Sequence, residues 1–179
     1  NAALGDPEVP LNVTGIVAAG NHLYFAVDND PDAALWISDG TAFGNSELAA
    51  FGSGPIINLV ALDNDAYFTI GTTLYRATSS EVTSLITLAS DVNEVIASDN
   101  GLYLALVDGS LIHVAGSTVS TVTNENGVAL SGVSALTAVA TDGVYFAGDF
   151  DTGAGTSTAL YLSTGTAAQL VRTDAEVQN

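Results

Sequence analysis

The chain is 179 residues long, with 20 acidic residues, two arginines, no lysine, no cysteine and no methionine, for a net charge of −18. Nucleic acids and anionic lipid surfaces are gripped by clustered Lys and Arg, so both are excluded as partners. A hydrophobic content of 47% with mean hydropathy +0.38 excludes a disordered chain despite the charge.

The sequence opens at Asn1 without an initiator methionine and reads as a processed product, for which a removed signal peptide is an economical cause. The leader, residues 1–14, holds Val9-Pro10-Leu11-Asn12-Val13. Pro7 and Pro10 suit an edge strand and not a central one. Val9, Leu11 and Val13 are therefore candidate pairing residues, in cis with the last repeat or in trans with another subunit.

From residue 15 to 179 the chain reads as four repeats, over 15–54, 55–91, 92–132 and 133–179. Each begins with a short apolar strand: Gly15 to Ala18, Ile57 to Ala61, Val95 to Ala97 and Leu136 to Val139. A turn pair suited to positive φ follows: Gly20-Asn21, Asn64-Asp65, Asn100-Gly101 and Asp142-Gly143. The second strand is centred on an aligned tyrosine, Tyr24, Tyr67, Tyr103 or Tyr145. A third strand carries Leu35-Trp36, Leu74-Tyr75, Leu111-Ile112 or Leu160-Tyr161. After a small-residue turn, a fourth strand closes the repeat: Glu47 to Phe51, Val82 to Leu88, Thr118 to Thr123, and Ala168 to Thr173.

Four antiparallel strands in roughly 40 residues match the size of a propeller blade. The expected fold is all-β and β-propeller-like, with four four-stranded meanders and tyrosines filling the wedges between them. A β-sandwich of many short strands is the alternative. A chain of this length owns a core without disulfides or a bound metal. It has no apolar run long enough for a transmembrane helix.

The segment Ala34-Leu35-Trp36-Ile37-Ser38-Asp39-Gly40-Thr41-Ala42-Phe43-Gly44-Asn45 resembles the ELWxSDGTxxGT repeat of bacterial secreted and surface proteins. That family carries its motif after an LYF strand, as Leu23-Tyr24-Phe25 stands here. Ala34 replaces the family's Glu, and Asn45 its last Thr. Ala159-Leu160-Tyr161-Leu162-Ser163-Thr164-Gly165-Thr166 keeps the outline. The resemblance implies blade-like repeats in large extracellular proteins, and it brings no catalytic residues.

Asp28, Asn29, Asp30 and Asp32 gather carboxylates and an amide in one loop, the hard oxygens that calcium takes. The same residues also make an ordinary polar Asp-Pro turn. Asp149 and Asp151, at i and i+2, point the same way on an extended chain and form a second candidate pair. Calcium is thus the candidate cofactor. The two cations, Arg76 and Arg172, sit at strand ends as surface ion-pair partners or as contacts to a neighbour's acids. His22 and His113 lie near no nucleophile motif, and the chain has no cysteine, so no enzyme activity is expected.

These features predict a secreted structural or interaction module of a cell surface, in adhesion, a surface layer or a filament. Its location would be extracellular, and it would act by self-association or by binding another surface protein. A carbohydrate-binding, lectin-like module that recognises glycan with calcium is the alternative.

Overall fold

A computed structural model describes residues 12–28, 32–52, 54–139, 143–151 and 155–173. The chain divides into two compact units, Asn1–Ala89 and Ser90–Asn179. In unit one, β1 (Val13–Ala19), β2 (His22–Asp28), β3 (Ala33–Ser38) and β4 (Asn45–Phe51) form one sheet in chain order. A second sheet follows from β5 (Ile57–Leu62), β6 (Asp65–Ile70), β7 (Thr73–Ala77) and β8 (Val82–Thr87). In unit two, β9 (Val92–Ser98), β10 (Gly101–Leu106), β11 (Leu111–Ala115) and β12 (Thr118–Thr121) form the third sheet. The fourth sheet contains β13 (Thr123–Asn124), β14 (Ser134–Val139), β15 (Gly143–Asp151), β16 (Thr156–Ser163) and β17 (Ala167–Thr173), in the order β13-β17-β16-β15-β14.

The expected meanders are present, but the propeller-like fold class is overturned. The four sheets stay open among the described residues, none curling or closing on itself, and they fall two to a unit. The fourth sheet also has five strands where four were expected. Alternation and turn chemistry act within a hairpin and set each meander, whereas closure depends on contacts between distant strands.

The extra strand arises inside the run read as one strand, Thr118 to Thr123. β12 leaves the third sheet at Val122, whose amide still donates to the Leu111 carbonyl at 2.8 Å. Thr123 then donates to Thr166 at 3.0 Å, and β13 pairs in parallel with β17. Val122 is wholly buried at this crossing, so one short segment latches the two sheets of unit two together.

Each unit has its core between its two sheets. In unit one Tyr24, Leu35 and Ile37 meet Ala66, Phe68 and Ala77. In unit two Tyr103, Ala105 and Leu111 meet Val144, Phe146 and Tyr161. The aligned tyrosines therefore do not play one role. Tyr24 and Tyr103 face the companion sheet, but in the second sheet of each unit the next residue, Phe68 or Phe146, does so. A strand has a side-chain period of two, so stacked copies of one meander meet through opposite faces and exchange n for n+1. Phe68 stacks on its cross-strand partner Tyr75 at 5.3 Å, and Phe146 on Tyr161 at 5.5 Å.

The two buried tyrosines differ at the hydroxyl. Tyr103 Oη donates to the Ser163 carbonyl at 3.5 Å and accepts from Asn100 Nδ2 at 3.1 Å. Tyr24 Oη is buried with no hydrogen-bond partner among the described residues. A bonded buried hydroxyl contributes about 1 kcal/mol, whereas an unbonded one costs desolvation. Tyr103→Phe is therefore expected to lower the urea midpoint, and Tyr24→Phe to leave it unchanged or raise it. Equal losses for the two variants would refute this assignment.

The third and fourth strands of three sheets share one irregularity. A bulge breaks the register between Leu35 and Trp36, between Leu74 and Tyr75, and between Leu160 and Tyr161. These are the aligned Leu-aromatic pairs of the repeats. A bulge adds twist to a strand and blunts its edge against unwanted pairing.

Candidate interaction surface

The second sheet of each unit has a face turned away from that unit's own core. In unit one this face carries Tyr67, Thr69 and Leu74, which are 9%, 0% and 0% exposed. The equivalent positions in unit two are Tyr145, Ala147 and Leu160. Here Leu160 is 41% exposed, and Tyr145, Ala147 and Leu162 are half-buried. Register pairing fixes who shares the face. Thr137, Tyr145, Leu162 and Gln169 lie in one row across the strands, and Ser134, Ala147, Leu160 and Arg172 in the next. Asp149 and Thr158 form a third row. An apolar centre of Tyr145, Ala147, Leu160 and Leu162 thus sits within a polar rim of hydroxyls, the Gln169 amide, Asp149 and the Arg172 position. That is the anatomy of a protein interface.

The Ser38–Asn45 turn of unit one presents the most exposed large apolar side chain among the described residues. Asp39 Oδ1 accepts from the Thr41 amide at 2.9 Å and from Thr41 Oγ1 at 2.7 Å. Ser38 Oγ accepts from the Gly40 amide at 3.1 Å. Asp39 donates its amide to the Gly44 carbonyl at 3.1 Å, and Gly44 donates to Thr41 at 3.3 Å. Any Cβ at Gly44 would overlap the Asp39 carboxylate, so the motif's second glycine is a steric requirement. Phe43 stands at the tip of this closed loop, fully exposed. The bonds from Thr41 hold the Asp39 carboxyl below its usual range. Asp108 repeats the device in unit two, accepting from the Ser110 amide at 2.9 Å and from Ser110 Oγ at 2.6 Å.

The sequence-predicted site residues do not assemble into one centre. Asp28 ends β2, its amide donating to the Asn12 carbonyl at 2.9 Å, and Asp32 is exposed just before β3. Asn29 and Asp30 lie outside the described residues. The Asp149 carboxylate accepts from Ser131 Oγ at 2.9 Å, and its amide donates to the Ser131 carbonyl at 2.9 Å. It lies directly over Gly132, whose φ of +61° and missing Cβ make room for it. Asp151 pairs through its backbone with Thr156, and its side chain lies outside the description. Among the described residues no three His, Cys, Asp or Glu side chains are grouped so as to hold a metal ion.

Of the expected pairing residues, Val9 and Leu11 lie outside the described residues. Val13 begins β1 opposite Val27 and is 48% exposed. Arg76 is bound within its own sheet: its Nε donates to Asp65 Oδ2 at 2.7 Å, with Nη2 at 2.5 Å from the same oxygen. Arg172 pairs through its backbone with Leu160, at the border of the apolar centre, and its side chain lies outside the description. His113 is buried beside Tyr103, with ring centroids 4.7 Å apart. Its Nε2–H donates to the Asn100 carbonyl at 3.2 Å. Burial pushes this imidazole below its usual pKa against the pull of that bond. It is a packed core group.

Sequence reasoning missed the Leu160 face. Leu160 was read as the equivalent of Leu35 and Leu74, both wholly buried. No charge signal could have found it, because this sheet's strands carry Asp149, Asp151 and Arg172, no fewer charges than those of the other sheets.

No family model matches the chain, and no curated protein matches it. Its fold is similar to the N-terminal domain of Nup159, with TM-score 0.56 and 10% identity over 89% of this chain and 47% of that one. It is also similar to a chain of a S. cerevisiae structure in which dbp5 is bound to nup159, gle1, IP6 and ADP, with TM-score 0.53, 12% identity and the same shares of 89% and 47%. The chain therefore spans about half the length of the structures it matches. Neither is named as a surface-layer, adhesion, filament or sugar-binding protein. The secreted surface module, its extracellular location and the lectin-like alternative are accordingly withdrawn. The likeness is one of fold, to a domain seen in a multi-protein complex.

Proposed function

We propose that the chain is a non-catalytic protein-binding module whose contact surface is the outer face of the fourth sheet. The observation that carries this reading is the contrast between Leu74 and Leu160, equivalent residues that are 0% and 41% exposed. Full burial of a leucine stabilises by about 1.5–3 kcal/mol. A face patterned for burial but left open is one that a partner covers. Support also comes from the fold likeness to a domain found in a complex with other proteins.

The test is chemical cross-linking in the source cells with wild type, Leu160→Asp and a control, Ser84→Asp, on the exposed part of β8. The wild type and the control are expected to recover the same cross-linked proteins, and Leu160→Asp to lose them. An unchanged set with Leu160→Asp would remove the face from the account.

A further inference from the structure

Two Asn-Gly pairs occur in the chain, Asn100-Gly101 and Asn126-Gly127, and the fold treats them in opposite ways. We propose that Asn126-Gly127 is a site of spontaneous modification, where conversion of the side-chain amide to isoaspartate opens the turn that carries β13, and that Asn100-Gly101 is protected from the same reaction. The chemistry needs only water. The Gly127 amide nitrogen gives up its proton and attacks the side-chain carbonyl carbon of Asn126. The Cγ–Nδ2 bond breaks, Nδ2 leaves with that proton as ammonia, and a five-membered succinimide remains. Water opens the ring at either carbonyl, giving aspartate or isoaspartate and one new negative charge. A glycine after the asparagine favours ring closure, because it has no side chain to obstruct the attack.

Asn126, Gly127 and Val128 are all exposed. The Asn126 amide donates to Asn124 Oδ1 at 2.9 Å, and among the described residues no hydrogen bond holds the Asn126 side chain. Gly127 has a φ of +74°, and nothing lies within 4 Å of the place a Cβ would take. The attack has to free only the Gly127 amide from the Asn124 carbonyl, a 2.9 Å bond in a surface turn. Asn100 is tied down instead. Its Nδ2 donates to Tyr103 Oη at 3.1 Å, and its carbonyl accepts from His113 Nε2–H at 3.2 Å. Tyr103 and His113 are both buried, and a Cβ at Gly101 would overlap the Val114 carbonyl. Ring closure there would have to unpack the start of β10.

The position of Asn126 gives the reaction a consequence. Asn124 donates its amide to the Val128 carbonyl at 2.8 Å, Asn124 Oδ1 accepts from the Val128 amide at 3.0 Å, and Thr123 bridges to Ala129. These bonds close the turn from which β13 pairs with β17. Isoaspartate routes the main chain through the former side chain and lengthens the turn by one carbon. The spacing that lets Gly127 and Val128 both reach Asn124 is then lost.

The test incubates the full chain in mildly alkaline buffer, folded or in urea, and follows both sites over weeks by peptide mass spectrometry. In urea the two sites are expected to convert at comparable rates. In the folded chain Asn126 should convert at least roughly ten-fold faster than Asn100, since a surface turn opens more readily than a packed strand end. Hydrogen exchange at the Asn124 and Val128 amides should be faster in the isoaspartate fraction than in fresh protein. Asn126→Gln, which could close only a less favoured six-membered ring, should show neither change at this site. A folded chain that keeps Asn126 intact while the urea sample converts overturns the proposal, and so does a folded Asn100 that keeps pace with Asn126. Unchanged exchange in the isoaspartate fraction overturns the opening of the turn.

Discussion

Phe146→Ala is expected to lower the stability of unit two by about 3–5 kcal/mol, the usual cost of deleting a buried ring. Phe146 is 1% exposed and stacks on Tyr161 with planes 12° apart. Its neighbours, Val144 and Ala159 among them, are held by the ladder of β15 and β16 and cannot collapse freely into the space. The same substitution at Phe43 removes a fully exposed ring and should change stability by less than about 0.5 kcal/mol. Urea unfolding followed by far-ultraviolet circular dichroism distinguishes the two. Similar midpoints for both variants would contradict the assignment of Phe146 to the core between the sheets.

A larger effect is expected from Val122→Asp. Val122 is wholly buried where the chain crosses from β12 to β13. An ionised carboxylate there would stand among the apolar side chains of the unit-two core. Leaving a buried charge uncompensated costs about 3–5 kcal/mol, on top of the lost apolar contacts. This is enough to prevent unit two from folding. Methyl NMR should show the dispersed signals of Leu111, Val144 and Leu130 collapsing to random-coil positions. Val122→Ala, which removes packing but adds no charge, should remain folded with a reduced urea midpoint. A folded Val122→Asp with wild-type stability would mean that the crossing is not a latch.

The meanders were legible because their determinants are local. Alternating Val, Ile, Tyr and Phe set the strands, and Gly20 and Gly101 supply positive φ at tight turns. What alternation cannot specify is which face meets which sheet, so Tyr67 and Tyr145 were assigned the place that Phe68 and Phe146 fill. The run from Thr118 to Thr123 looked like one strand because both halves are extended. The change of sheet at Val122 is decided by pairing with Ala167 and Ala168, more than 40 residues away.

The site was less legible than the fold. Asp149 has the composition of a metal ligand, yet its carboxylate is bonded to Ser131, far along the chain. The Ser38–Asn45 motif suggested a secreted protein, but its residues are accounted for by the bonds that close the turn. Asp39 grips Thr41, and Gly44 makes room for Asp39. Asp108 and Ser110 repeat the same grip without the rest of the motif.

The outer face of the fourth sheet is the proposed contact surface. Because the chain has no cysteine, Leu160→Cys introduces a single thiol at the centre of that face, and Ser84→Cys a single thiol on β8. Maleimide labelling rates measured without and with the cross-linked partner are the most direct test. Thiol labelling at position 160 is expected to slow several-fold when the cross-linked partner is added, while the rate at position 84 stays constant. Equal and unchanging rates at both positions would contradict the account.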